Sequence, residues 1–261
     1  MMKEDILGGP YDLTEQEHKC QREANVESGT LYVCGTPIGN LKDASFRLIE
    51  VLGEVDVIVC EDTRRTVKLL SYYNIKKPLV SFDEHVEKQR TEKVLQDLAE
   101  GKSVALVSDA GMPLISDPGA FLVSAAREQG FNVVAVPGPS AITTALSISG
   151  FYSSQFVFAG FPPRKPRKRK DFFLKWIQPQ VPIVFFESPY RVLQSLEDLM
   201  EVFPDVQVSL CHEMTKIYES VLVGPIKEIH ETLKDSKIQG EWVIVAYHEL
   251  KERKRFYDEA E

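Results

Sequence analysis

From Thr30 to Gly150 the chain alternates short apolar runs with amphipathic segments, and this rhythm restricts its fold more than any other feature. Strands are predicted at 30–34, 55–60, 78–82, 103–108 and 132–136, and helices at about 43–53, 63–73, 87–100, 119–129 and 140–149. Such repetition builds a mostly parallel sheet with helices on both faces. Val104-Ala105-Leu106-Val107 is apolar throughout, the pattern of a fully buried strand. After Gly150 the rhythm changes. Phe156–Ala159 reads as a strand, followed by a basic segment and a helix to about Ile177. Strand Ile183–Phe186 leads into a helix at 190–203, and strands at 206–211 and 217–223 have so little between them that they form an antiparallel hairpin. A helix at about 226–236 and a strand Trp242–Tyr247 complete the set.

The fold class is therefore α/β, with two α/β domains. A flexible extension (1–28) precedes a mostly parallel N-terminal domain (29–152), a mixed C-terminal domain (153–250) and a charged tail (251–261). With 261 residues and 43% hydrophobic content, a sizeable core is expected. A net charge of −8 argues against broad, nonspecific coating of nucleic acid, though not against a local basic patch. Cys20, Cys34, Cys60 and Cys211 are widely spaced with no C-x-x-C, a reduced, cytoplasmic pattern with no metal site. The charged N-terminus lacks the apolar stretch of a signal peptide. Gly130 to Pro163 carries no charged residue, but Pro and Gly interrupt it, so burial at a domain junction is expected rather than a membrane span.

The strand ends carry the chemistry. Ser108 to Gly119 (Ser-Asp-Ala-Gly-Met-Pro-Leu-Ile-Ser-Asp-Pro-Gly) joins the buried strand to a helix. Two Gly and two Pro fix its path, Asp109 and Asp117 sit on it, and it exceeds an ordinary connection of about two to six residues. In an open α/β sheet a loop at this end of a strand is where ligands bind. Gly35-Thr-Pro-Ile-Gly39 fits neither the dinucleotide nor the P-loop fingerprint, yet offers free backbone N–H groups. Glu61-Asp62-Thr63-Arg64-Arg65 is a helix start with Asp62 as N-cap, a polar-substrate contact, or both. Pro137-Gly-Pro-Ser140-Ala141 makes another rigid loop. In the second half, Glu187 with Arg191 and Glu213 with Lys216 follow apolar strands, and Gly240-Glu241-Trp242 opens the last. Arg164, Lys165, Arg167, Lys168, Arg169 and Lys170 put six cations in seven positions, a phosphate-binding footprint or a solvated loop. His85, after a strand, is the one histidine worth marking.

Taken in order, Gly35–Leu41, Glu61–Arg64, Ser108–Gly119, Pro137–Ala141, Glu187–Arg191 and Glu213–Lys216 resemble the tetrapyrrole methylase superfamily, from about Gly29 to Tyr247. They are most similar to its branch that methylates a ribose 2′-hydroxyl in 16S ribosomal RNA. Tetrapyrrole-modifying members usually have Gly-Asp-Pro where this chain has Gly111-Met112-Pro113, which favours RNA. Val86 stands where the branch often has Asn, which discounts His85 as catalytic. The resemblance implies a homodimer, with S-adenosylmethionine in the interdomain cleft. The cofactor contacts it implies are Thr36, Pro37, Gly111, Met112, Pro113, Ile115, Ser116, Ser140, Ala141, Phe186 and Trp242.

The implied reaction is methylation of a cytidine ribose in the decoding region, with the RNA presented in the small ribosomal subunit. Methyl transfer to a hydroxyl needs alignment and a base. Glu213 or Asp62 is the expected base, and Lys216 or Arg64 would position phosphate or stabilise the alkoxide. Glu187 and Arg191 would form a structural pair. The alternative is a methylase of a small tetrapyrrole precursor, which has no use for the basic run. A third is a cofactor-binding module without chemistry.

Overall fold

The computed structural model describes residues 26–83 and 87–249, so most of the expected N-terminal extension, His85 and the charged tail lie outside the described residues. Two five-stranded sheets organise the chain. The first contains β1 (Thr30–Cys34), β2 (Val57–Cys60), β3 (Leu79–Ser81), β4 (Val104–Val107) and β5 (Asn132–Val136), all parallel in the order β3-β2-β4-β1-β5. Between them run α1 (Phe46–Glu54), α2 (Thr63–Tyr72), α3 (Glu87–Ala99) and α4 (Ala120–Glu128).

Strand order decides which face each helix covers. The chain steps one way across the sheet from β1 through β2 to β3, then back through β4 to β5, and right-handed crossovers put the two sets of helices on opposite faces. Period-two alternation serves both. Tyr32, Cys34, Ile58, Ala105 and Val107 pack under α1 and α2. Leu31, Val59, Val104 and Leu106 pack under α3 and α4. The helices start on side-chain caps where the sequence provides them. Ser45 accepts from Leu48 N at 3.1 Å, and Asp62 accepts from Arg64 N at 2.8 Å.

A fifth helix, α5 (Ala141–Ile148), leads into the second sheet. That sheet contains β6 (Val157–Phe158), β7 (Ile183–Glu187), β8 (Gln207–His212), β9 (Ser220–Pro225) and β10 (Trp242–Tyr247), in the order β6-β7-β10-β8-β9. β6 is parallel to β7, and the remaining pairs are antiparallel, including the expected β8–β9 hairpin. α6 (Pro166–Trp176), α7 (Val192–Val202) and α8 (Ile226–Leu233) cover one face, packing on Phe185, Leu210, Trp242 and Ile244. The other face, with Val184, Cys211, Val243 and Val245, is covered by Ile142 and Ala145 of α5 and by Ile38. The uncharged stretch is buried at the junction of the two sheets only in part: Ile142 and Ala145 are covered there, whereas Ile148, Tyr152, Phe156 and Phe161 are exposed, against the expectation of burial. Among the described residues no helix is long and apolar enough to cross a membrane.

Candidate functional site

Because all strands of the first sheet are parallel, every loop following a strand emerges at the same edge. Strands β1 and β4 are neighbours whose connections leave in opposite directions, which opens a crevice between their loops. Backbone bonds tie the two loops together: Thr36 N donates to Gly111 O at 2.9 Å, and Gly111 N donates to Thr36 O at 3.1 Å. The Thr36 hydroxyl adds a bond to Ser108 O at 3.2 Å. The third loop closes on the first at Gly35 and Gly138, where a Cβ on Gly138 would lie 2.3 Å from Gly35 O.

The second half meets this edge through the segment after β8. Asn40 N donates to Thr215 Oγ1 at 2.9 Å, and Gly39 is so close that a Cβ there would lie 2.6 Å from that oxygen. Leu114 and Ser116 in the long loop, and Glu213 and Thr215 after β8, have positive φ without being glycine. Local strain therefore gathers on the two loops that face each other.

Three cavities share these walls. The first, about 180 Å³, is lined by Thr36 to Gly39, Arg65, Lys68, Ser108 to Ala110, Lys216 and Glu241, among others. The second, about 240 Å³, is lined by Ala110 to Met112, Ile115 to Asp117, Ser140 to Ile142, Phe161 and Phe186. A smaller third cavity is bounded by Ile38, Ala141, Cys211, Met214, Glu241 and Val243. The first and second share Ala110, and the second and third share Ala141. Sites for drug-sized molecules span roughly 300–1,000 Å³, so a ligand of that size would occupy more than one.

Of the eleven residues the resemblance assigned to the cofactor, Gly111, Met112, Ile115, Ser116, Ser140, Ala141 and Phe186 line the second cavity. Thr36 and Pro37 line the first. Pro113 is buried within the loop and borders none of the three. Trp242 departs from expectation. Its ring packs in the outer core, stacked on His212 at 4.4 Å, while Nε1 donates to Gln239 O at 2.9 Å. The alternation of β10 sends the next residue, Val243, to the cavity face, opposite Phe186 in the ladder.

The expected bases are also held elsewhere. Glu213 borders none of the cavities, and its Oε1 accepts from Lys216 Nζ at 2.9 Å and Glu241 N at 2.8 Å. Burial would raise its pKa, but these two donors outweigh it and hold the carboxyl below its usual range. Asp62 caps α2 and is clamped by Arg64 at 2.7 Å, which lowers its pKa to about 2. Neither is poised to take a proton near neutrality. Arg64 itself is exposed at the rim. Lys216 reaches the first cavity between Glu213 and Glu241, the latter at 3.0 Å. Burial works against its charge, yet the two carboxylates raise its pKa and keep it cationic. Across that cavity Arg65 pairs with Asp109 at 3.3 Å, and Asp109 also accepts from Asp62 N at 3.1 Å.

The basic run divides. Arg164, Lys165, Arg167 and Lys168 are exposed around the start of α6. Arg169 is 2% exposed and gives Asp198 two bonds, at 2.7 Å from Nε and 2.6 Å from Nη2, so it is not available to an external phosphate. Lys170 pairs with Glu201 and Asp198. Glu187 and Arg191 form the expected structural pair at 2.7 Å, with Ser195 also donating to Glu187. Cys34, Cys60 and Cys211 are buried, and burial pushes the Cys34 thiol up to about 12, which makes it chemically quiet.

Asp117, Phe161 and Glu241 are cavity-lining groups to which sequence reasoning gave no role. Asp117 and Glu241 were visible as acids in special loops, but Phe161 had no local signal.

Residues 30–230 match the family of Tetrapyrrole (Corrin/Porphyrin) Methylases. The chain is 45% identical to the ribosomal RNA small subunit methyltransferase I of Neisseria meningitidis serogroup B over 234 residues, covering 89% of this chain and 80% of that one. It is 47% identical to the enzyme of the same name from Thermotoga maritima over 218 residues, covering 83% and 97%. A cobalamin biosynthetic enzyme, cobalt precorrin-4 methyltransferase, shares the fold with a TM-score of 0.63 at 16% identity, over 84% of this chain and 95% of that one. The chain belongs to the tetrapyrrole methylase family and, within it, to the ribosomal RNA small subunit methyltransferase I group.

Proposed function

We propose that the protein is an S-adenosylmethionine-dependent methyltransferase that 2′-O-methylates the ribose of a cytidine in the decoding region of 16S ribosomal RNA. It acts in the cytoplasm as a homodimer, on RNA presented in the small ribosomal subunit. The observation that carries the donor reading is the second cavity, where seven of the eleven residues implied by the resemblance come together. Its walls suit a cofactor: backbone of the Gly111 loop, two aromatic rings, and a Ser140 side chain that makes no capping bond to α5. The names of the relatives support an RNA acceptor over a small tetrapyrrole. The exposed cations Arg164, Lys165, Arg167 and Lys168 supply phosphate contacts that the tetrapyrrole alternative does not need.

When bound, the donor supplies an electrophilic methyl group. The protein's own residues supply alignment and charge. The first cavity receives the acceptor ribose, and Lys216, locked between Glu213 and Glu241, stabilises the developing alkoxide. Asp109 and Glu241 are ion-paired as Glu213 is, but they line that cavity and Glu213 does not, so the proton leaves to one of them as the alkoxide forms. Glu213 becomes a positioning residue. Incubating the protein with labelled S-adenosylmethionine and small ribosomal subunits from a strain lacking it should place one 2′-O-methyl group on a decoding-region cytidine. Absence of transfer to any RNA defeats the proposal. Lys216→Met is expected to lower turnover at least about tenfold while leaving donor binding intact, as removal of one alkoxide-stabilising group implies. Loss of donor binding in that variant would place Lys216 on the cofactor instead.

A further inference from the structure

The second cavity is acidic and aromatic, and it holds no positive charge. Asp117 is the one charged side chain among those lining it. The neighbouring polar groups are the Ser108 hydroxyl, which eases its charge, and the Asp109 carboxylate, which opposes it. Among the described residues Asp117 makes no ion pair. Burial pushes its pKa up to about 6, as expected for a carboxylate taken from water without a counter-ion. Phe161 and Phe186 line the same cavity, with ring centroids 5.5 Å apart and an edge-on tilt of 61°. A carboxylate and aromatic rings lining one cavity are the combination that recognises organic cations, since ring faces attract positive charge.

We propose that the second cavity is a cation-recognition site in which Asp117, with Phe161 and Phe186, receives a positive charge of the methyl donor, either its α-ammonium or its sulfonium. This rests on the reading that the donor occupies this cavity. It adds the group responsible for affinity and for preference among related ligands. If the sulfonium is the charge recognised, the site also releases the product more readily than it holds the donor, because transfer leaves a neutral thioether.

Calorimetric titration with three ligands separates the cases. S-adenosylmethionine carries both charges, S-adenosylhomocysteine only the ammonium, and 5′-methylthioadenosine neither. Asp117→Asn is expected to weaken S-adenosylmethionine about 10- to 100-fold, the scale of a charge-assisted contact, and to leave methylthioadenosine unchanged. A parallel loss for S-adenosylhomocysteine assigns the ammonium, and a loss confined to S-adenosylmethionine assigns the sulfonium. Asp117→Glu, which keeps the charge, should recover part of the affinity. Thermal unfolding of each variant confirms that it is folded. An Asn variant that binds S-adenosylmethionine within twofold of wild type overturns the proposal, as does an equal loss for methylthioadenosine. A wild-type protein that fails to bind S-adenosylmethionine overturns the underlying reading as well.

Discussion

Asp117 and Glu213 are both carboxylates on strained loops, and their surroundings drive them in opposite directions. Glu213 has two donors on one oxygen and is held ionised. Asp117 is half-buried, and the Ser108 hydroxyl only partly offsets its lost hydration. The consequence for stability can be signed. An unfolded Asp titrates near 3.9, whereas folded Asp117 titrates at about 6. Between those values the folded state binds more protons, so this group's contribution is fully present below about pH 4 and is lost as pH rises through about 6. Asp117→Asn removes the dependence. Its melting temperature is expected to equal wild type at pH 4 and to exceed it at pH 7. Equal melting temperatures at both values would show that Asp117 is not held unfavourably in the free protein. The two roles are not distinguishable in sequence, where each residue is an acid in a loop. Environment alone separates them.

At the scale of elements, α6 carries cations at the wrong end. Lys165, Arg167 and Lys168 surround its N-terminus, where the peptide dipoles already concentrate positive charge. An RNA phosphate relieves that conflict. Arg167→Gln with Lys168→Gln is expected to weaken RNA binding and to flatten its salt dependence, without lowering the melting temperature. An unchanged salt slope in filter-binding or anisotropy titrations would remove α6 from the RNA interface. Two residues further on, the Arg169–Asp198 pair is buried and behaves differently. Asp198→Ala strands a guanidinium in the core and is expected to cost about 3–5 kcal/mol in denaturant unfolding, whereas Arg169→Met with Asp198→Leu should cost little. Most elements were legible, because the periods of strand and helix stand out in the first half, but the basic run read as a segment ahead of the helix lies largely inside α6, which starts at Pro166. Arg169 was misread because a run of cations looks uniform. Its position one turn before Phe173, on the buried face, was the available signal. Trp242 lines none of the three cavities whereas Val243 lines the third, and since β10 is apolar at every residue its sequence does not say which face turns to them.

The whole molecule depends on how the two sheets meet. Gly39 has no room for a side chain against Thr215, Lys216 and the Met214 carbonyl. Gly39→Val acts as a wedge at the point where the halves touch. Both halves should keep their secondary structure by circular dichroism, while donor affinity and turnover fall by about tenfold or more, since small displacements of aligned groups are costly. Full affinity in that variant would show that the contact does not set the cleft. Such a junction is not written in local periodicity. α5 reads as an apolar helix of the first half, yet its buried face rests on the second sheet. This has a consequence during synthesis. Ala145 shares one buried cluster with Val245 on β10, the last in chain order of the described strands. At about 5–20 residues per second, roughly a hundred residues of chain take on the order of 5–20 s to appear. For that interval the nascent chain lacks the central strand of its second sheet, and the apolar face of α5 is incompletely covered.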